Sequence, residues 1–389
     1  MDTREVDVSV LLGAGASMDG GIPTSSQLVE KVGDRLTDPR LHAIFDAVHA
    51  GCLMRSASAR IAGGSPAWPT IEDIANTIDA LIDRNMSDIA PFVASWSPML
   101  KYMDDAEDVS RATSQRVARL LQEKFAEASI GVTDTTNENW SEWATHLVEA
   151  IRPHSSTDAL LRKLKNRLPH IVAELLAMPT DGDFEYLGDL FRLAPEKADR
   201  LCIATLNYDL VVEAVCDSRG ISYTDGLDEW GKGIPATFKG SKIALYKLHG
   251  SLSWQRDNDD HYRRSIVTVD AAEPGIIFGG KNKLTTRGPY LDMLWQWRSE
   301  LASKRKLVII GYSFADEHVN GLLVQWARTG GAKRLIVVSR SKTWHGTSTG
   351  QWLLSHASRT SSFDLQHVAG PARTGTGQSI AEAMETLAP

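Results

Sequence analysis

The chain has 389 residues, 42% of them hydrophobic, enough to bury a sizeable core in one large domain with an insertion or in two domains. A formal net charge of -7 without any Lys/Arg block argues against direct nucleic-acid binding, and no run of about 18 apolar residues exists to span a membrane. The charged start Met1-Asp-Thr-Arg-Glu-Val is unlike a leader, and Cys52, Cys202 and Cys216 show no Cys-x-x-Cys spacing, so the expectation is a reduced, cytoplasmic protein.

Residues 6–12 read as a strand that runs through Leu12 into the glycine-rich stretch Gly13-Ala14-Gly15-Ala16-Ser17 and Gly20-Gly-Ile-Pro23. A helix over 26–36 follows, with Leu28, Val29, Val32 and Leu36 at helical spacing. From about 40 to 195 amphipathic segments dominate, at 71–82, 117–125 and 159–172. In the last of these Leu160, Leu161, Leu164, Leu168 and Ile171 make one apolar face. Strand signals return at 201–205, 243–248, 275–278, 306–310 and 334–338, with helical stretches between several of them, such as 290–298. Continuous apolar strands alternating with helices indicate a parallel sheet covered on both faces. Beyond Thr343 the chain turns Ser/Thr/Gly-rich and ends in a short helix over 379–387. Cys202 reads as a small core residue, and Trp68, Trp140, Trp143, Trp295 and Trp297 read as core or interface residues.

Four short segments place polar residues at strand ends, where open α/β sheets bind ligands. A strand entering Gly13-Ala14-Gly15 ahead of a helix lets backbone amides approach phosphate. Met18 stands where a strict Gly-x-Gly-x-x-Gly needs glycine, which argues against an ordinary nicotinamide oxidoreductase. Thr205-Leu-Asn207-Tyr-Asp209 carries a carboxamide able to hold a hydroxyl or water without adding charge. Read alone, it is equally an Asn/Asp turn capping the next helix. Lys247-Leu-His249-Gly250 ends another strand, and an imidazole, titrating near neutrality, suits general-base work. Gly311-Tyr-Ser313-Phe314 offers amides and a hydroxyl, Asp316 and Asn320 lie on the following helix, and Ser339 closes a further strand.

The order and wording of these segments resemble the sirtuin family over roughly residues 5–36 and 200–340. That resemblance implies a Rossmann-like doubly wound parallel sheet and NAD as a substrate. It matches Asn207 and His249 to the family's catalytic pair and Asp209 to its nicotinamide pocket. Gly13, Ala14, Gly15, Ser17, Pro23, Thr205, Gly311, Ser313 and Ser339 fall at its NAD-binding positions, and Pro274-Gly-Ile-Ile-Phe-Gly279 at its acyl-lysine channel. The deacylases' four-cysteine zinc module has no counterpart after His249, and Thr24-Ser-Ser26 replaces their Asp-Phe-Arg. These departures resemble the sirtuin-like NAD hydrolases of bacterial anti-phage, abortive-infection systems, above all the subunit that pairs with a HerA-type ATPase, or relatives associated with an Argonaute. No zinc is expected.

The expected layout is a sirtuin-like Rossmann domain over 1–40 and 196–345, an all-helical insertion over 41–195, and a C-terminal extension over 346–389. The insertion's apolar faces suit homo-oligomer or partner contacts. Other readings are an NAD or ADP-ribose-binding sensor and an NAD-dependent protein deacylase or ADP-ribosyltransferase.

Overall fold

The computed structural model describes residues 4–61, 68–84, 157–233, 236–256, 262–264, 273–276 and 288–385. Packing divides the chain into two units, Met1–Thr24 with Leu176–Pro389, and Ser25–Leu175. Those boundaries lie at 24/25 and 175/176, where the sequence reading places them at 40/41 and 195/196.

The first unit holds ten strands among the described residues: β1 (Arg4–Leu12), β2 (Asp199–Thr205), β3 (Tyr223–Thr224), β4 (Ile243–Lys247), β5 (Gly250–Arg256), β6 (Tyr262–Arg264), β7 (Glu273–Ile276), β8 (Lys306–Ile310), β9 (Lys333–Ser339) and β10 (Phe363–Ala369). Seven form one parallel sheet in the order β10-β9-β8-β1-β2-β4-β3, and β6-β5-β7 form a small antiparallel sheet. The chain runs outward from β1 to one edge, then returns to β8 on the other side of β1. This reversal puts a topological switch point between β1 and β8, and right-handed crossovers in opposite directions cover opposite faces of the sheet.

The two faces are visible in the alternation along each strand. Leu307, Ile309, Leu335 and Val337 join a core with Met293 and Trp297 of the helix Tyr290–Ala302 and Leu323 and Trp326 of the helix Glu317–Arg328. On the opposite face, Gly375 of the helix Ala372–Met384 packs so closely on Val338 that a β-carbon there would lie 2.3 Å from Val338 Cγ1. Burying each large apolar side chain contributes about 1.5–3 kcal/mol. The strand runs are therefore apolar throughout because neither face meets water. Strand β10 belongs to the sheet although the sequence reading placed 346–389 in an extension without a strand.

The second unit contains α1 (Ser25–Arg35), α2 (Pro39–Ile61), α3 (Ile71–Ile82) and α4 (Thr157–Leu175). Thr70 and Asp73 form a capping box that starts α3: the Thr70 hydroxyl accepts from Asp73 N at 3.2 Å, and the Asp73 carboxylate accepts from Thr70 N at 2.9 Å. Ile71, Ile74, Ile78 and Ile82 make its buried face, and the predicted apolar face of α4 is buried as well. The predicted helix at 117–125, Trp140 and Trp143 lie outside the described residues. Trp297 is fully buried in the core, whereas Trp68 and Trp295 are more than half exposed and so are not core residues. In chain order the first unit's helices are α5 (Val211–Ser218), α6 (Leu227–Trp230), α7 (Tyr290–Ala302), α8 (Glu317–Arg328), α9 (Ser348–Arg359) and α10 (Ala372–Met384). Among the described residues no helix is long and apolar enough to cross a membrane.

Candidate active site

The four segments singled out in the sequence meet at the C-terminal rim of the large sheet and are bonded into a closed ring. Gly13 N donates to Ile310 O and Gly15 N to Gly311 O, each at 2.9 Å, joining the first segment to the fourth. Asn207 Nδ2 donates to Gly13 O at 3.0 Å and to Ser17 Oγ at 3.1 Å, joining the second to the first. Leu248 N donates to Thr205 O at 3.0 Å, linking the second and third. His249 Nε2 lies 3.0 Å from Asp316 Oδ2, which closes the ring.

The glycines are required by the approach of one backbone to another. A β-carbon on Gly13 would sit 2.6 Å from Gly311 O, and one on Gly15 would sit 2.8 Å from Gly311 Cα. Gly311 itself has φ +67, and a β-carbon there would meet Ala16 N at 2.3 Å. The helix expected over 26–36 does follow the glycine-rich turn, but not directly. Gly13 leads instead into two single-turn 3-10 helices, Ala14–Ala16 and Met18–Gly20, and α1 begins only at Ser25. Likewise α8 starts at Glu317, well after Gly311, so neither glycine marks a helix amino terminus. The N–H groups of Gly13, Gly15, Ala16, Ser17, Gly20, Gly21 and Ile22 already bond to carbonyls. At most those of Ala14, Met18 and Asp19 remain for an anion.

Around the ring the side chains are buried. Asn207 directs its amide nitrogen into the glycine loop, and its N–H is fixed by Thr205 Oγ1 at 3.0 Å. What Asn207 can offer a ligand is therefore its Oδ1, a neutral acceptor. Ser17 connects Asn207 to Asp209, accepting from the first and donating to the second. Burial raises the pKa of Asp209, against the opposing pull of the Lys247 ammonium and of hydrogen bonds from Ser17 and Val211 N. The alternative reading of an Asn/Asp turn ahead of the helix is met in part: Asp209 Oδ1 accepts from Val211 N at 3.2 Å, while the N-cap residue of α5 is Leu210.

Lys247, the last residue of β4, was not singled out in the sequence and is almost fully buried. Its Nζ donates to the Asp209 carbonyl and lies 3.0 Å from Glu213 Oε1 on α5. Burial raises the pKa of Glu213, and the Lys247 charge opposes the rise. A lysine inside the apolar run 243–248 was a legible signal, because an unpaired charge there would be untenable. Tyr186 was missed too. Its hydroxyl donates to Ala16 O at 2.6 Å and holds the glycine loop.

His249 stands where the chain leaves the large sheet for the small one. Gly250 follows at φ +95, a conformation that turns β4 into β5, and a β-carbon there would lie 2.2 Å from Gly275 O. Residues 277–279 of the segment expected to line an acyl-lysine channel lie outside the described residues.

The remaining predicted residues take no part in the hydrogen bonds that close the ring. Ser313 is exposed, and Pro23 is half-buried. Ser339 Oγ donates to Ser341 O at 2.8 Å and meets His367 Nε2 at 2.9 Å, so its hydroxyl is engaged locally. Asn320 is structural, donating from Nδ2 to Phe314 O at 2.9 Å and so holding Phe314 at φ 60. Among the described residues no three His, Cys, Asp or Glu side chains form a metal-binding group.

Residues 201–357 match the family model described as a SIR2-like domain, a span that contains Asn207, Asp209, His249 and Gly311. No curated protein sequence matches the chain. A solved structure described as the structural basis for the mechanism and regulation of Sir2 enzymes is 14% identical, with 57% of this chain and 80% of that chain covered at a TM-score of 0.35. A Sir2 homologue in complex with NAD is also 14% identical, with 98% of this chain and 91% of that one covered at a TM-score of 0.38.

Proposed function

We propose that the chain is an NAD glycohydrolase. The observation that carries this reading is the ring itself: an Asn and a His, each on a strand end, sit beside the switch point within a stretch matching a SIR2-like domain. In the reaction the bond between ribose C1′ and the pyridinium nitrogen breaks, and its electron pair stays on nitrogen, releasing neutral nicotinamide. Water oxygen bonds to C1′ of the oxocarbenium-like ribose, and one water proton passes to a base, leaving ADP-ribose.

Asn207 Oδ1 orients the water or a ribose hydroxyl, and His249 accepts the proton. Asp209 meets the carboxamide of nicotinamide from a buried site, where a raised pKa makes it easier for the carboxyl to carry a proton and donate. The pyrophosphate is met by the few amides still open at Ala14, Met18 and Asp19, a smaller set than a helix amino terminus would supply. No zinc takes part in these steps.

In this reading the enzyme is cytoplasmic, homo-oligomeric and silent until a partner such as a HerA-type ATPase or an Argonaute reports infection, after which NAD depletion aborts phage growth. The test is incubation of the purified chain with NAD, alone and with a co-purified partner, with nicotinamide and ADP-ribose followed by chromatography. His249→Ala should lower the rate about 10²–10⁴-fold, and Asn207→Ala should abolish product. A His249→Ala variant with the wild-type rate removes the base role. Calorimetric binding of NAD or ADP-ribose without turnover in either state replaces the hydrolase with a sensor.

A further inference from the structure

Asp316 serves two partners through its two carboxylate oxygens. Oδ1 accepts the N–H groups of His318 at 2.9 Å and Val319 at 3.1 Å, which caps α8. Oδ2 lies 3.0 Å from His249 Nε2, and both side chains of this pair are buried. The backbone of Asp316 is anchored as well: its N–H donates to the Tyr312 hydroxyl at 3.1 Å, and that hydroxyl reaches Asn320 Oδ1 at 2.9 Å. The carboxylate is thus fixed by the helix it starts, and it presents one defined acceptor to the imidazole.

A carboxylate has no proton to donate, so the ring nitrogen facing it carries one. We infer that Asp316 is the positioning residue of this site: it holds His249 as the Nε2–H tautomer, so that Nδ1 is the nitrogen that takes the proton from water. The kinetic consequence rests on the hydrolase reading, whereas the tautomer does not. Mechanistically the arrangement works like an outer-shell carboxylate that fixes a histidine's orientation and stabilises the imidazolium formed on protonation.

Asp316→Asn separates this role from a structural one. The amide keeps its oxygen toward the two α8 N–H groups, because turning it would oppose donors to donors. Its NH2 then faces His249 and can only donate, which forces the proton onto Nδ1 and blocks the base. Asp316→Ser still caps the helix but leaves the imidazole free to choose its tautomer. The expected losses in kcat are about 10⁴-fold for Asp316→Asn and about 10–100-fold for Asp316→Ser. A purely structural role predicts the opposite order, since asparagine is nearly isosteric and caps as well as aspartate.

The measurement independent of activity is the 15N spectrum of histidine-labelled protein, with the His249 signals identified by their loss in His249→Gln. Nε2–H in the wild type and Nδ1–H in Asp316→Asn are expected. Nδ1–H in the wild type, or an unchanged tautomer in Asp316→Asn, overturns the inference whether or not NAD is turned over. Should the tautomers behave as expected while an active wild type and Asp316→Asn share one kcat, the positioning role in catalysis is overturned and the hydrolase reading stands. A wild type inactive on NAD both alone and with the co-purified partner, yet with the expected tautomers, overturns the hydrolase reading and leaves the assignment of the pair in place.

Discussion

The two ends of the large sheet treat charge differently. At the N-terminal rim, Lys304 places Nζ 2.8 Å from both Glu5 and Glu300, Arg200 pairs with Glu5, and Arg334 pairs with Asp364 at 2.7 Å. Burial alone would raise the pKa of Glu5, but hydrogen bonds with Glu300 and Lys304 and the charges of Lys304 and Arg200 hold it down at about 2. Glu300 beside it is pushed up, by burial and by its hydrogen bond with Glu5. At the C-terminal rim, Asp209 and Glu213 are both pushed up by burial, with Lys247 as the cation between them. The N-terminal rim gains stability from ionised Glu5 with Glu300 raised beside it, whereas both buried carboxyls of the C-terminal rim fold more readily when neutral. This is the pattern expected where a site is kept poised at the expense of the fold.

Four substitutions test that contrast. Lys247→Met removes the cation from the C-terminal rim and leaves Glu213 buried and uncompensated, which should cost about 3–5 kcal/mol in chemical unfolding. Adding Glu213→Leu should recover much of that loss, and failure to recover would move the role of Lys247 from charge balance to its bond with the Asp209 carbonyl.

Asp209→Asn should have the opposite sign and stabilise the fold at neutral pH by about 0.5–2 kcal/mol while lowering activity. With its folded pKa raised above 3.8, Asp209 contributes stability below that value and loses it as pH rises through the folded pKa. The permanently neutral variant keeps it, so the gap from wild type should widen upward from about pH 4. A gap independent of pH would mean that burial does not govern the ionisation of this carboxyl.

The smallest effect belongs to the N-terminal rim. Glu5, with its pKa depressed from 4.5, contributes stability above that pH and loses it as pH falls toward about 2. The side chain is 38% exposed, so Glu5→Gln should lower the melting point at about pH 6 by an amount worth roughly 1 kcal/mol or less. The difference from wild type should vanish near about pH 2. Equal losses at both pH values would mean that the N-terminal rim does not depend on ionised Glu5.

Much of this architecture could be read from the chain, because periodicity and strand-end position are local properties. Strands ending at Leu12, Thr205, Lys247 and Ile310 stand out as apolar runs, and each is followed by one of the segments that form the ring. Strand β10 escaped notice because Phe363-Asp-Leu-Gln-His-Val-Ala mixes polar and apolar residues, as suits an edge strand that is half exposed. The 3-10 turns after Gly13 were hidden for another reason. Nothing in Gly13-Ala14-Gly15 reveals that its neighbour will be the backbone of Gly311. His249 and Asp316 are 67 positions apart, a separation over which no sequence period carries information. Asp209 shows the limit most plainly, since the turn reading and the pocket reading described the same atoms, and its Oδ1 does accept from Val211 N in a turn ahead of α5.

The interlocked glycines also bear on how such a chain can change over generations. Gly13, Gly15 and Gly311 answer to one another's main chains, so a methyl group at any of them displaces the other loop. A descendant that ceased to turn over substrate would still be held to all three, while His249 would be released to drift. The glycine signature is therefore an heirloom of the scaffold, and its survival in a lineage says little about whether the chemistry has survived with it.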